Sequence, residues 1–227
     1  MAKEKAIIFD AGTIITLSMN GLLDVFKNLK EQFNGKFLIT EDVEYEIITR
    51  PLKIKKFELG ALEIKQLLDE NVLELPSSVG IKDSVIQEKT RWLLDIANRT
   101  FFVKEKYIHL IDRGETSCLA LSELLPKKGI ENVISIDERT TRMLCEKPEN
   151  LHKLLETKLH TKIRLKKENL AYFSKFKFIR SSELVYIAYK KNLVKLKNEN
   201  VLDALLYAVK YKGCSISRNE IEEMKRL

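Results

Sequence analysis

Cysteine is scarce in this chain: Cys118, Cys145 and Cys214 are the three among 227 residues, and none stands in C-x-x-C spacing. That argues against both a disulfide framework and a zinc site, and predicts a reducing, cytoplasmic setting. Histidine is as rare (His109, His152 and His160), so chemistry routed through imidazole has few places to reside. A Gly-rich phosphate loop and a G-x-S-x-G elbow are both missing, which removes the common nucleotide-cradle and serine-hydrolase readings. No apolar run approaches the length of about 20 residues that a membrane span needs, so no membrane partner is expected. Lys3, Glu4 and Lys5 precede only a brief apolar stretch, which predicts no secretory signal. There is no internal repeat and no low-complexity linker. The whole chain, 1–227, reads as one domain long enough to bury a sizeable core.

What the sequence does hold is charge, unevenly placed. The 40 Lys and Arg exceed the 33 Asp and Glu, for a formal net charge of +7. Between Leu151 and Arg180 stand nine cations against Glu156 and Glu168, and without that segment 31 residues of each sign remain. One stretch therefore carries the whole excess, and a polyanion is the partner it predicts. The plainer reading is a solvated basic helix that binds nothing. The segment at about 146–177 is expected to be helical. Its aromatics (Tyr172, Phe173, Phe176 and Phe178) are expected in the core rather than stacked on bases.

Lys5-Ala6-Ile7-Ile8-Phe9 runs four apolar residues into Asp10, then Ala11-Gly12-Thr13. A short apolar run with turn residues after it predicts a parallel strand buried on both faces, with Asp10 just outside its carboxyl end. An Asp that simply caps the next turn fits equally well. Helical spacing follows over Leu17–Phe33, then a short strand at 36–39 and Thr40 as an N-cap. Glu46 edges the buried face of the next helix, with Arg50 as its ordinary surface partner. Val72–Leu75 reads as a strand, and Ser84–Asn98 as a helix. Asp112-x-x-Glu115 opens another helix in the spacing of a capping box. Val133–Ile136 then repeats the opening pattern by delivering Asp137-Glu138-Arg139 to a strand end. Strands alternating with helices predict right-handed crossovers and a parallel sheet. Ser182–Asn192, Val201–Lys212 and a capped helix from Ser217 close the chain.

If Asp10, Glu46, Glu115 and Asp137 converge, four like charges must pick up protons, repel or bind a cation. Mg²⁺ and Mn²⁺ want hard oxygen ligands, and either can polarise a phosphodiester and lower the pKa of a bound water. No histidine is required.

Four stations in this order resemble the PIN-domain nucleases: the apolar strand with Asp10; Val43-x-x-Glu46-Ile47; Gly114-Glu115 with Cys118-Leu119-Ala120-Leu121; and Ile134-Ser135-Ile136-Asp137-Glu138-Arg139 with Arg142. The archaeal and bacterial branch with L-x-x-G-E-A and I-D-D-R motifs is the nearest in pattern, and residues 184–224 resemble its C-terminal helices. The resemblance implies a three-layer α/β/α sandwich around a parallel β-sheet, here with the basic helical segment at about 146–177 inserted. It implies a Mg²⁺- or Mn²⁺-dependent endoribonuclease that hydrolyses RNA, with Asp10, Glu46, Glu115 and Asp137 as catalytic metal ligands and Glu138 auxiliary to them. Thr13, Arg139 and Arg142 beside these stations, and Arg164, Lys166 and Lys167 in the basic block, are the candidate nucleic-acid contacts. A toxin-type role with a small antitoxin partner, an RNA-processing role and a homodimer are all compatible with the resemblance. The chain departs from the pattern at Gly12, where Ser, Thr or Asn is usual, at Glu138, where a second Asp is common, and in the inserted basic block. Two other readings are a catalytically silent PIN-like nucleic-acid-binding protein and a haloacid-dehalogenase-type phosphatase. The latter needs two aspartates before Gly-Thr, the nucleophile two residues ahead of the second, and Ala11 and Phe9 break either register.

Overall fold

The structure, a computed structural model, describes residues 4–227; residues 1–3, Lys3 among them, lie outside the described residues. Strand β1 (Glu4–Phe9) buries Ala6, Ile7, Ile8 and Phe9 in succession, so both of its faces are covered, as the apolar run predicts. Asp10 ends the strand and caps helix α1 (Ala11–Met19), accepting from the Gly12 amide at 3.1 Å. The single helix expected over 17–33 is two. Gly21 adopts a left-handed φ of +65°, and α2 (Leu23–Gln32) starts afresh beyond it.

Strand β2 (Lys36–Leu38) leads to Thr40, whose hydroxyl accepts from the Val43 amide at 3.2 Å and opens α3 (Glu41–Glu44). That helix widens at once into a π-helical turn over Tyr45–Thr49, and Pro51 follows. Helices α4 (Glu58–Asp69) and α5 (Asp83–Asn98) lie on either side of a stretch expected to be a strand. There, only Glu74 bridges, to Leu38. A hairpin of β3 (Phe101–Val103) and β4 (Lys106–Tyr107) precedes α6 (Arg113–Leu124) and β5 (Ile130–Ser135).

The basic segment holds α7's end and more than helix. After α7 (Arg139–Glu146) come α8 (Pro148–Leu159), strand β6 (Arg164–Leu165) and the single turn α9 (Lys167–Leu170). The expectation of a purely helical insertion is corrected here, because β6 pairs antiparallel with β3 and builds a small sheet of order β4-β3-β6. Phe173 and Phe176 are core residues, as expected, and Phe178 is partly buried against them. Tyr172 is instead 40% exposed, its ring set edge-on to Trp92 at the surface, which corrects its placement in the core. Strand β7 (Phe178–Ile179) then joins the main sheet, and α10 (Ser181–Lys190), α11 (Val201–Tyr211) and α12 (Arg218–Arg226) finish the fold.

The main sheet has the order β2-β1-β5-β7, and every pair in it is parallel. Phe9, Phe26 and Phe37 meet edge-on or tilted at about 5 Å between ring centres, seating α2 on the face that Ile7 and Phe9 present. Small residues of α6 (Gly114, Ser117, Cys118 and Ala120, all buried) let that helix pack closely on β1 and β5. The result is an α/β fold with a four-stranded parallel sheet under many helices. Among the described residues, no helix is long and apolar enough to cross a membrane.

Candidate active site

The carboxyl ends of β1 and β5 lie side by side, since Phe9 is in register with Ser135 and the Asp10 amide donates to the Ser135 carbonyl at 3.0 Å. Asp10 and Asp137 leave the sheet at this one edge, and both are nearly sealed from solvent, at 5% and 2% exposure. Asp137 Oδ1 accepts from the Ser181 amide at the start of α10, 2.8 Å away. Its Oδ2 is buried without a hydrogen-bond partner. An uncompensated buried carboxylate oxygen is costly and calls for a proton, a water or a cation.

Glu46 and Glu115 come to the same place from the helices. The π-helical turn re-aims Glu46 so that its carboxylate lies over Gly114, with Oε1 2.6 Å from where a β-carbon on that glycine would sit. With Glu46 held there, a methyl at position 114 would have to push its carboxylate aside. Glu115 Oε2 accepts from the Asp112 amide at 3.0 Å and from the Thr141 hydroxyl at 3.1 Å. The capping-box reading of Asp112-x-x-Glu115 is therefore realised, and it leaves Oε1 uncommitted. The Arg50 partner considered for Glu46 is outweighed by its acidic neighbours Asp112 and Asp42.

The charges feel one another. Burial, then the nearby Glu46 and Asp137 carboxylates, lift Asp10 to about 7 against the hydrogen bonds from Gly12 and Ala11. Glu115 is pushed up to about 8, first by burial and then by Asp10 and Glu138. Glu46 is raised by burial and by Asp112 and Asp42. Cys118, beneath them, is driven well above the ordinary thiol value by burial and then by Asp10, Glu115 and Glu46, so it is an inert floor and not a nucleophile. Asp10 is thus the hub that Glu46, Glu115 and Asp137 all reach electrostatically. Among the described residues, no three acidic, histidine or cysteine side chains are drawn into a ready-made metal cage.

The remaining predicted contacts separate into three groups. Glu138 caps α7, accepting from the Thr141 amide at 2.8 Å. Thr13 is fully buried with its hydroxyl 3.2 Å from that of Ser135, so it has no surface to offer a nucleic acid, which corrects that expectation. Arg139 is exposed on α7. Arg142 is half-buried and donates to the carbonyls of Glu138 and Ser215. Both arginines line a groove of about 1080 Å³, together with the cations Lys147, Lys153, Arg180 and Lys210 and the acids Glu146, Glu183 and Glu220. Arg180 is neutralised there by Glu183 and Glu220. Burial and the neighbouring Arg180 depress the Arg142 guanidinium. Arg164, Lys166 and Lys167 stand apart, on β6 and α9.

The sequence reading missed Asp112 and Asp42 as charges acting on Glu46, and Ser181 as the donor that orients Asp137. Asp112 was legible as the first acid of its capping box. Ser181 left no signal, because its pairing with Asp137 bridges 44 positions. No family model matches this chain, and no curated protein or solved structure matches it significantly.

Proposed function

We propose that the chain is a Mg²⁺- or Mn²⁺-dependent endoribonuclease of PIN-like, three-layer α/β/α architecture. One observation carries the reading: the buried Asp10 carboxylate shares its electrostatic surroundings with Glu46, Glu115 and Asp137, which come from distant parts of the chain, and one oxygen, Asp137 Oδ2, has no partner. Charge crowding of this kind is unfavourable for folding and useful to a hard divalent ion. The donor set fits such an ion, since it is all carboxylate oxygen with no competing thiolate or imidazole. Asp10, Glu46, Glu115 and Asp137 would hold it, and the bound ion would supply Lewis acidity and an acidified water.

The chain's own residues do the rest. The Ser181 amide orients Asp137, and the Asp112 amide with Thr141 orients Glu115. Arg139, Lys147 and Lys153, in a groove that also holds Glu146, Glu183 and Glu220, offer phosphate contacts, which an acidic cleft needs if it is to hold a polyanion. The test is cleavage of mixed RNA and DNA substrates with and without Mn²⁺. Cleavage of RNA that requires the metal supports the reading, and none at any metal concentration removes it.

The catalytically silent alternative has one observation in its favour: Glu115 and Glu138 both cap helices and so have structural work without a metal. Calorimetric titration with Mn²⁺ separates the two, since a silent scaffold shows no saturable heat at millimolar metal.

Gly114→Ala tests the geometry beneath Glu46. The new methyl collides only with the end of a flexible side chain, so the fold stays intact, and an alanine near a helix start is well tolerated. Glu46 must move, and Mn²⁺ affinity is expected to fall by about tenfold, the scale found when a group that positions a metal ligand is disturbed. Paired melting curves and calorimetry check both halves of that statement.

A further inference from the structure

Away from the acidic edge, the small β4-β3-β6 sheet carries a row of side chains unlike the rest of the surface. Register pairs Phe102 with Tyr107 on one side and with Arg164 on the other. Directly opposed residues of antiparallel strands project to the same face, so Tyr107, Phe102 and Arg164 stand abreast. The Phe102 and Tyr107 rings meet edge-to-face at 5.9 Å. Tyr107 is 48% exposed although it is a large ring, and Arg164 is exposed beside it. Lys166 Nζ lies 4.9 Å from the Tyr107 ring centre and donates to its hydroxyl at 2.9 Å, while the Arg99 guanidinium lies 6.0 Å from the same ring.

Two aromatic rings in a cross-strand row, flanked by three cations on an open sheet, have the make-up of a platform for unpaired bases. Aromatic faces stack bases of any identity, and the cations hold the phosphates between them. The lysine and arginine contacts with Tyr107 are solvent-exposed cation–ring pairs, weaker than base stacking, so an incoming base can displace them. Lys166 is then free for the backbone, while Arg99 keeps an exposed pair with Asp95 at 2.8 Å that a phosphate can replace. Duplex RNA hides its base faces, which makes a stacking surface selective for single strands. The stacking aromatics do not come from the basic segment. They come from β3 and β4; Arg99 is close by in the chain, at the end of α5, but only the pairing of β6 across more than 60 residues brings Arg164 and Lys166 to them.

We propose that this sheet face is a single-stranded nucleic-acid-binding site, with Tyr107 and Phe102 stacking bases and Arg164, Lys166 and Arg99 holding phosphates. It feeds the acidic edge by a short route. Only four residues lie between Tyr107 and Asp112, the cap of α6, so the two are at most about 17 Å apart along extended chain. Only this last coupling rests on the ribonuclease reading; the binding site itself does not.

The probe is a labelled uridine 12-mer, titrated by fluorescence anisotropy into the full chain in EDTA, where no divalent ion and no cleavage can intervene. Tyr107→Ala is expected to weaken binding about tenfold with the salt dependence unchanged, the effect of losing one stacked base. Tyr107→Phe retains the affinity, because the ring and not the hydroxyl is what matters. Arg164→Ala lowers the slope of log affinity against log salt by about 0.7, the value for one phosphate contact on a single strand. Wild-type binding by Tyr107→Ala overturns the proposal, as does a duplex 12-mer bound as tightly as the single strand, or polyglutamate competing as well as RNA. An active nuclease with an indifferent Tyr107 removes the platform alone. A Tyr107-dependent binder that never cleaves removes the nuclease alone.

Discussion

Asp10→Asn is expected to abolish metal-dependent RNA cleavage while leaving the fold intact. Asn has the size of Asp and is an equally good N-cap, so the bond from the Gly12 amide that starts α1 is kept. The variant loses the negative charge at the hub that Glu46, Glu115 and Asp137 all reach. Disturbing a group that merely orients a metal ligand costs about 10- to 100-fold. Removing the hub's charge is expected to exceed that, with at least about 100-fold loss of cleavage and a matching loss of Mn²⁺ affinity. Circular dichroism and melting must show a folded variant for the comparison to hold. Full activity in a folded Asp10→Asn protein removes Asp10 from the chemistry, and the proposed reaction with it.

The second large effect concerns pH in the absence of metal. In the unfolded chain Asp10 and Glu115 ionise near 4, whereas in the folded chain they do so at about 7 and about 8. Between those limits the folded state holds protons that the unfolded state has released. Stability is therefore complete below about pH 4 as far as these two groups are concerned, and it is lost as pH rises through 7 to 8. For Asp10, buried as it is, moving ionisation from about 4 to about 7 corresponds to something on the order of 4 kcal/mol at full ionisation. In a chain of this size that is a fall in Tm of roughly 10 °C. Melting curves in EDTA at pH 5 and pH 9 measure it. Asp10→Asn should flatten the profile and melt higher than wild type at pH 9, and saturating Mn²⁺ should restore the wild type there by binding the folded state. A profile in EDTA that is flat from pH 5 to 9, or unchanged in Asp10→Asn, contradicts the crowding on which the function rests.

The two variants pull in opposite directions on one cluster. Asp10→Asn gains stability and loses chemistry, which is the behaviour expected where like charges are kept together for function at the expense of the fold. An ordinary surface acid would move neither quantity much.

The sequence by itself determined the elements whose signals are local. The apolar run of β1, the caps at Thr40 and Ser217, the helix after Asp112 and the acids at both strand ends were legible because each depends on residues within a few positions of one another. The break at Asn20-Gly21 was written in the chain too, but helical spacing on both sides of it hid the two-helix division. Tertiary structure alone decided the rest. The π-helical turn that turns Glu46 over Gly114 has no periodicity of its own, and the two-residue strands β6 and β7 are too short to leave a pattern. Their identity comes from hydrogen bonds to partners far away in the chain. The same holds for Asp137, whose side chain is held by an amide 44 residues on, and for Tyr107, which meets Lys166 only because β6 pairs with β3. Patterning along a chain encodes what a segment becomes; only closure of the core encodes which charges and rings are made to share a surface.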